Sequence, residues 1–335
     1  ALVIAVLVWR FPVHLAIEST IAGVAFALWP IMWIVFAALV LYNVAVVSGR
    51  FDAFRRWILE HLPDDRRIIL IVIGYCFGAL LEGVTGFGAP VAIISSLLIV
   101  LGFDALDAVV YSLIFNTAPV AFGSIGVPIT TLAGVTGLSD TALGAMVGRQ
   151  LPFLAFLLPF YAIALYGGLR SVRALWPVLL VAATTGALAQ FATSNYISYQ
   201  LTNIVSSLVS LAVTVAFLKV WTPPHDPVYA VAEPPSAIEQ AHSAIPRWQG
   251  WIPWLIVTAV VTLWTIWKFA GFHQMNLAWA GLNNAVFITL YNKPYAAVFN
   301  FQPLATGTAI LASSILAALA GRVSVNGYVR AMGTA

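Results

Sequence analysis

The sequence predicts an all-α, polytopic transmembrane helix bundle that includes discontinuous or re-entrant helices. Three observations carry this expectation. Of 335 residues, 61% are hydrophobic and 8% charged, against roughly 25% charged in an ordinary soluble domain, and so few charges cannot build a water-facing surface. Apolar stretches of about 20 residues, long enough to span a bilayer as helices, alternate with short runs holding nearly all the Arg, Lys, Asp and Glu. Two of those stretches are interrupted by clusters of glycine and proline, which an uninterrupted helix carries only at a cost.

The spans expected in order are Val24 to Val47, Ile68 to about Val100, Leu106 to about Ala121, Ala142 to Leu165, Ala174 to Ala192, Ile197 to Leu218, Ile252 to Phe269 and Thr306 to Ala320, with Ala1 to Val8 as the tail of another. Trp29, Trp33, Trp176, Trp221, Trp251 and Trp254 fall near span ends, where indole rings favour the headgroup region. The run from Ser48 to Arg67 carries Arg50, Arg55, Arg56, Arg66 and Arg67, which places it in the cytoplasm by the positive-inside rule. Residues 222–249 are polar and rich in proline and read as an extra-membrane linker between a first bundle, 1–221, and further helices, 250–335. Gly271 to Asn300 reads as a loop with an interfacial segment. The chain opens inside an apolar run and ends in what looks like the loop after a span, so it reads as part of a longer one, truncated before a second half.

Charge counting leaves one conflict. Between Arg67 and Arg170 three simple spans fit, which would put one of two arginine-bearing loops on the wrong side. Something between them must re-enter or break, and that region holds the densest glycine and proline of the chain.

The first interruption is Leu81-Glu82-Gly83-Val84-Thr85-Gly86-Phe87-Gly88-Ala89-Pro90. Each Gly costs about 1 kcal/mol and Pro about 3 in a helix relative to Ala, so the helix should unwind here. The second, Asn116-Thr117-Ala118-Pro119-Val120-Ala121-Phe122-Gly123-Ser124-Ile125-Gly126-Val127-Pro128, is lined with small hydroxyl and amide side chains. Unwound backbone inside a bilayer is tolerated where it faces a cavity or buried protein, the way discontinuous helices receive anions and coupling ions. The alternative is that glycine and proline serve only close packing and kinks, as they commonly do in membrane helices.

Glu82 is the one acidic residue expected well inside a span, where an ionised carboxylate costs about 2.5 to 3.5 kcal/mol. It reads either as a group that takes up and releases a proton or as a structural carboxyl tied to unwound amides. A carboxylate ligand needs a positive partner, and a guanidinium grips one by a two-pronged fork. Arg149, followed by Gln150, is the candidate if it faces the cavity; otherwise it is an arginine reaching for the interface. The five histidines, His14, His61, His225, His242 and His273, have no partner at metal-ligand spacing. Cys76 is the single cysteine, which rules out an intrachain disulfide and a cysteine metal cluster. No cofactor or metal is expected. The net charge of +3 is scattered, so lipid rather than nucleic acid is the expected partner. Neither H-E-x-x-H, G-x-S-x-G, a P-loop nor paired intramembrane aspartates occur, which favours transport over catalysis.

The strings Leu81 to Ile93, Asn116 to Ile129, Met146 to Phe153 (MVGRQLPF) and Pro294 to Ile310 (PYAAVFNFQPLATGTAI) together resemble the L-lactate permease family, in order over nearly the whole chain. The resemblance implies a longer, bacterial-type inner-membrane symporter of about a dozen helices that moves L-lactate or a related 2-hydroxymonocarboxylate such as glycolate with protons. By motif match, Glu82, Gly86, Gly88, Asn116, Thr117, Arg149 and Gln150 would lie at or near its pathway. Thr85, Phe87 and Ser124 complete the expected substrate contacts, with Thr85, Thr117 or Ser124 pairing with the substrate hydroxyl and Glu82 coupling the proton. One departure stands out. Where the family commonly reads Pro-Glu-Leu-Pro and then an acidic residue, this chain has Tyr199-Gln200-Leu201-Thr202-Asn203, so amides replace carboxylates that can hold a proton. A passive channel, an intramembrane enzyme and a receptor remain the rival readings.

Overall fold

The computed structural model describes residues 2–86, 88–231, 245–289 and 292–335. After a short helix, Leu2–Leu7, comes α1, Val13–Val47, kinked at Trp29, whose extended backbone precedes Pro30. An amphipathic helix, α2 (Arg50–His61), leads through a short turn into α3 (Arg66–Val84), which is π-helical from Leu70 to Phe77. Then follow α4 (Ala89–Val100), α5 (Ala105–Asn116) and α6 (Gly123–Thr136). A helical stretch from Asp140 to Tyr196 is divided at Gly168 into α7 and α8, and α9 (Thr202–Leu218), α10 (Ile252–Ile266), α11 (Thr306–Ala320) and α12 (Val325–Gly333) complete the helices. Helices long and apolar enough to cross a membrane number 5, or 6 when the bent pair α5 and α6 counts as one span, among the described residues.

The stretch from Asp140 to Tyr196 is a hairpin. A straight helix would hold Arg149 and Asn195 about 69 Å apart at 1.5 Å per residue, yet the Arg149 Nε–H donates to Asn195 Oδ1 at 3.0 Å. The chain doubles back at Gly168, whose φ of 70° and ψ of 177° break the helix. Glycines on the inner faces permit the close approach: Gly148 lies against Ser194, and Gly144 against the ring of Tyr199.

The same contacts settle the charge conflict. Arg67 Nη1 donates to Ser171 Oγ at 3.1 Å, so the start of α3 and the start of α8 share one end of the molecule. The loop between α4 and α5 lies there too, because the rings of Phe103 and Tyr166 meet at a tilt with centroids 5.6 Å apart and Arg66 reaches the Gly102 carbonyl. Helix α3 therefore enters and α4 returns to the face it left, at 12 residues and about 18 Å too short to cross a core of about 30 Å. Helices α5 and α6, bent by 67°, cross as one broken span, and α7 comes back. Both arginine-bearing loops then lie on one side. Arg50 joins that side by donating to the carbonyls of Ala317 and Ala320 at the end of α11, where a cation suits the helix dipole.

The opposite end gathers Asp140, Tyr199 and the segment after α10. That segment is not the interfacial loop the sequence led one to expect. Met275–Ala278 pairs antiparallel with Val298–Phe301, and Phe287–Ile288 with Lys293–Pro294, a nested hairpin in an otherwise helical molecule. The Trp29 ring against Phe301, and Trp279 Nε1–H donating to Glu18 at 2.9 Å, fasten it to α1. The described parts of the linker are docked rather than loose. Tyr229 lies 4.1 Å over the Arg67 guanidinium, Arg66 Nη2 donates to Val228 O, and Val231 N–H donates to Asp64; residues 232–244 lie outside the described residues. Leu157, Leu169 and Phe153 are more than half exposed, an apolar exterior that suits lipid as solvent. The chain is a multi-pass membrane protein.

Candidate functional site

The site is the junction of the two interruptions. Helix α3 ends with Thr85 N–H donating to Leu81 O at 2.7 Å, after which Gly86 and Gly88 take φ of 61° and 83°, the left-handed region open to glycine. Helix α5 ends at Asn116, a single 3₁₀ turn follows, and then Ser124, Ile125 and Gly126 all take left-handed backbone before α6 proceeds. Left-handed backbone costs roughly 1–2 kcal/mol for each non-glycine residue, so the surroundings must enforce it at Ser124 and Ile125. They do so by contact between the breaks. A Cβ on Gly86 would stand 2.6 Å from the Ser124 Cβ, and one on Gly123 would collide with the Glu82 carboxylate. Asn203 locks the arrangement from α9: its Nδ2 donates to the Pro119 carbonyl at 2.7 Å, while its Cβ packs on Gly83. A side-chain amide thus satisfies a carbonyl released by the break.

Glu82 is fully buried at this junction, and neither carboxyl oxygen completes a hydrogen bond, although Asn116 lies beside it. Ser124 is buried with its hydroxyl also unsatisfied. Thr85 is buried but spends its hydroxyl on Leu81 O. Gly88 is exposed at the start of α4, with nothing within 4 Å of where a Cβ would sit. At the start of α4, Pro90 has no N–H and Val91 N–H donates to Gly88 O at 3.1 Å, which leaves the N–H groups of Gly88 and Ala89 at the positive end of the helix dipole.

Of the residues expected at the site, the structure brings Glu82, Thr85, Gly86, Asn116 and Ser124 together. Thr117 lies at the same break but is exposed and donates to Leu113 O. Phe87 lies outside the described residues. Arg149 and Gln150 do not join the junction: both are exposed on α7, and Arg149 is engaged by Asn195. The reason is helical phase, since Gly144 and Gly148 occupy the inward face of α7 and turn positions 149 and 150 outward.

Beside the junction lies a small cavity that shares the wall formed by Ala118, Pro119 and Asn203, and continues to Cys76, Gln190, Ser207 and Ser210. Sequence reasoning overlooked it. Its signal was present in α9, where Asn203, Ser206, Ser207, Ser210 and Thr214 fall at helical spacing and are all buried, a polar stripe inside an apolar span.

Residues 1–335 match the family model described as L-lactate permease. The chain belongs to the L-lactate permease family. It is 40% identical over 342 residues to glycolate permease GlcA of Escherichia coli strain K12, covering 94% of this chain and 61% of that protein. It is 40% identical over 336 residues to the L-lactate permease of the same strain, covering 94% and 60%. Against the L-lactate permease of Bacillus subtilis strain 168 it is 38% identical over 347 residues, covering 94% and 61%. The chain thus spans about three-fifths of the length of these curated relatives. No solved structure matches this member of the L-lactate permease family.

Proposed function

We propose that this chain forms the substrate-receiving part of a secondary transporter that moves L-lactate or a related 2-hydroxymonocarboxylate such as glycolate across the cytoplasmic (inner) membrane together with protons. Membership of the L-lactate permease family and the names of its relatives support the substrate class. The observation that carries the mechanism is Glu82, a buried carboxyl without a completed hydrogen bond where two interrupted spans meet. The substrate carboxylate binds at the open start of α4, where the N–H groups of Gly88 and Ala89 and the helix dipole favour an anion. Two carboxylates side by side in a poorly hydrated site cannot both stay charged cheaply. Substrate therefore enters with a proton on Glu82, and neither charge crosses the apolar core alone.

The test is a pH jump in proteoliposomes holding the natural full-length protein. An inwardly directed proton gradient should drive accumulation of labelled lactate. Glu82→Gln should abolish that accumulation while leaving lactate counterflow. Wild-type uptake that ignores the gradient would establish a passive facilitator instead, and undiminished accumulation by the variant would remove Glu82 from coupling.

A further inference from the structure

We propose that residues 226–231 of the linker are a latch that closes the cytoplasmic exit of the carrier and lets go of the bend between α7 and α8 when substrate leaves inward. The proposal rests on the transport reading above and adds to it the gate. Two independent observations support it. The first is where the segment docks. The start of α3, the loop between α4 and α5, and the bend at Gly168 meet at one end of the molecule, the end that its arginines assign to the cytoplasm. Residues 226–231 tie them together. On the α3 side, Arg66 Nη2 donates to Val228 O and Val231 N–H to Asp64 Oδ1, each at 2.7 Å, and Asp226 stands 3.7 Å from Arg67. On the α7 side the hold is slighter: Tyr229 meets the Tyr166 ring with centroids 5.8 Å apart, and its hydroxyl donates to Gly167 O at a long 3.5 Å. The same Tyr229 ring covers the Arg67 guanidinium at 4.1 Å, and that guanidinium reaches across to Ser171 of α8.

The second observation is what lies beneath. The cavity beside the junction is walled by Cys76 of α3, Gln190 of α8, and Ser207 and Ser210 of α9. It has room for roughly two or three waters, and Gln190 Oε1, buried without a donor, is an acceptor for one. Cys76 comes between Arg67 and Glu82 along α3, so the cavity lies between the latch and the junction. From the cavity to the cytoplasmic end, Val72 of α3 and Leu175 and Leu179 of α8 are buried and form an apolar seal. At the junction, by contrast, Gly88 and Thr117 are exposed. The molecule is thus open toward its breaks and shut toward its arginines, one of the two states that alternating access requires. The other state needs α3 and α8 to part at the seal. The slighter contact, Tyr229 on the α7–α8 bend, is the one that yields, while the α3 side keeps the linker in place.

Gates of this kind set turnover, so fixing this one should arrest it. In the full-length protein, Tyr166→Cys and Tyr229→Cys are introduced together, joined in detergent by a reducible bis-methanethiosulfonate reagent, and the protein is reconstituted. Lactate counterflow should fall at least about tenfold on cross-linking and return with dithiothreitol, beyond any effect of the reagent on protein without the added cysteines. Equal counterflow before and after reduction overturns the latch. A second readout works without transport, because Cys76 is buried beneath the seal. Methyl methanethiosulfonate should modify Cys76, read by mass spectrometry, several-fold faster in Tyr229→Ala than in wild type. Tyr229→Phe, which keeps the ring over Arg67, should stay close to wild type. An unchanged rate in Tyr229→Ala overturns the latch even where transport is intact. Faster modification in Tyr229→Ala, in a protein that moves no lactate, upholds the latch as a gate and refutes the transport reading.

Discussion

Gly86 answers to two constraints at once. Its φ of 61° is the left-handed region, and a Cβ there would come 2.6 Å from the Ser124 side chain. Gly88 shares the first constraint, with φ of 83°, but not the second. Gly86→Ala should therefore cost about 1–2 kcal/mol of backbone strain and about 1–3 kcal/mol more for overpacking, whereas Gly88→Ala bears only the strain. Unfolding midpoints in detergent measure the difference, and equal losses would mean that the two breaks do not touch. Asn203→Leu removes the donor to the Pro119 carbonyl and should cost roughly 1–3 kcal/mol, with Ser206→Ala on the same face as the mild control. Glu82, the glycines and Ser124 were legible in the sequence because a carboxylate and clustered glycines are conspicuous in an apolar run. Gln190 was not, since one neutral amide in a span declares nothing until a cavity is built around it. Arg149 misled for a related reason: its charge was visible, but the phase of its helix was set by glycines that face Tyr199 and Ser194.

At the scale of elements, the start of α3 is held by a buried ion pair. Arg67 Nη2 and Asp65 Oδ2 are 2.6 Å apart, Asp65 also caps the helix by accepting from Arg67 N–H, and Tyr229 covers the guanidinium. Removing one partner of a buried pair costs about 3–5 kcal/mol, because the other charge is stranded. Arg67→Met should destabilise the protein by that order and release the docked residues 226–231, measured as faster proteolysis within the linker. Unchanged protection would show that the linker is held elsewhere. Helix breaks were readable because glycine and proline act locally. The nested strands after α10 were not, since Met275–Ala278 finds its partner 20 or more residues away in Val298–Phe301 and neither strand is long enough to display an alternating pattern.

Across the whole molecule, the account is a topology. Helices α3 and α4 enter and return, the broken span of α5 and α6 crosses, and the two interruptions meet inside the membrane. Single cysteines at Gly102 and Arg170 should react with an impermeant thiol reagent from the cytoplasmic side, and cysteines at Leu138 and Asn292 from the other. The sequence had already required an odd feature between Arg67 and Arg170, because charge placement obeys a global rule. Which segment re-entered depended on the contacts of Arg66, Phe103 and Ser171, pairings that lie far apart in the chain. The central claim is that the meeting point of the breaks is a substrate site reached from the aqueous phase and not a packed kink facing lipid. Thr117, exposed at the second break, tests it most directly through Thr117→Cys in the full-length protein, labelled at that position by a charged, water-borne thiol reagent. The account predicts that the position reacts and that lactate slows the reaction; reaction only with a lipid-phase reagent, indifferent to lactate, would contradict it.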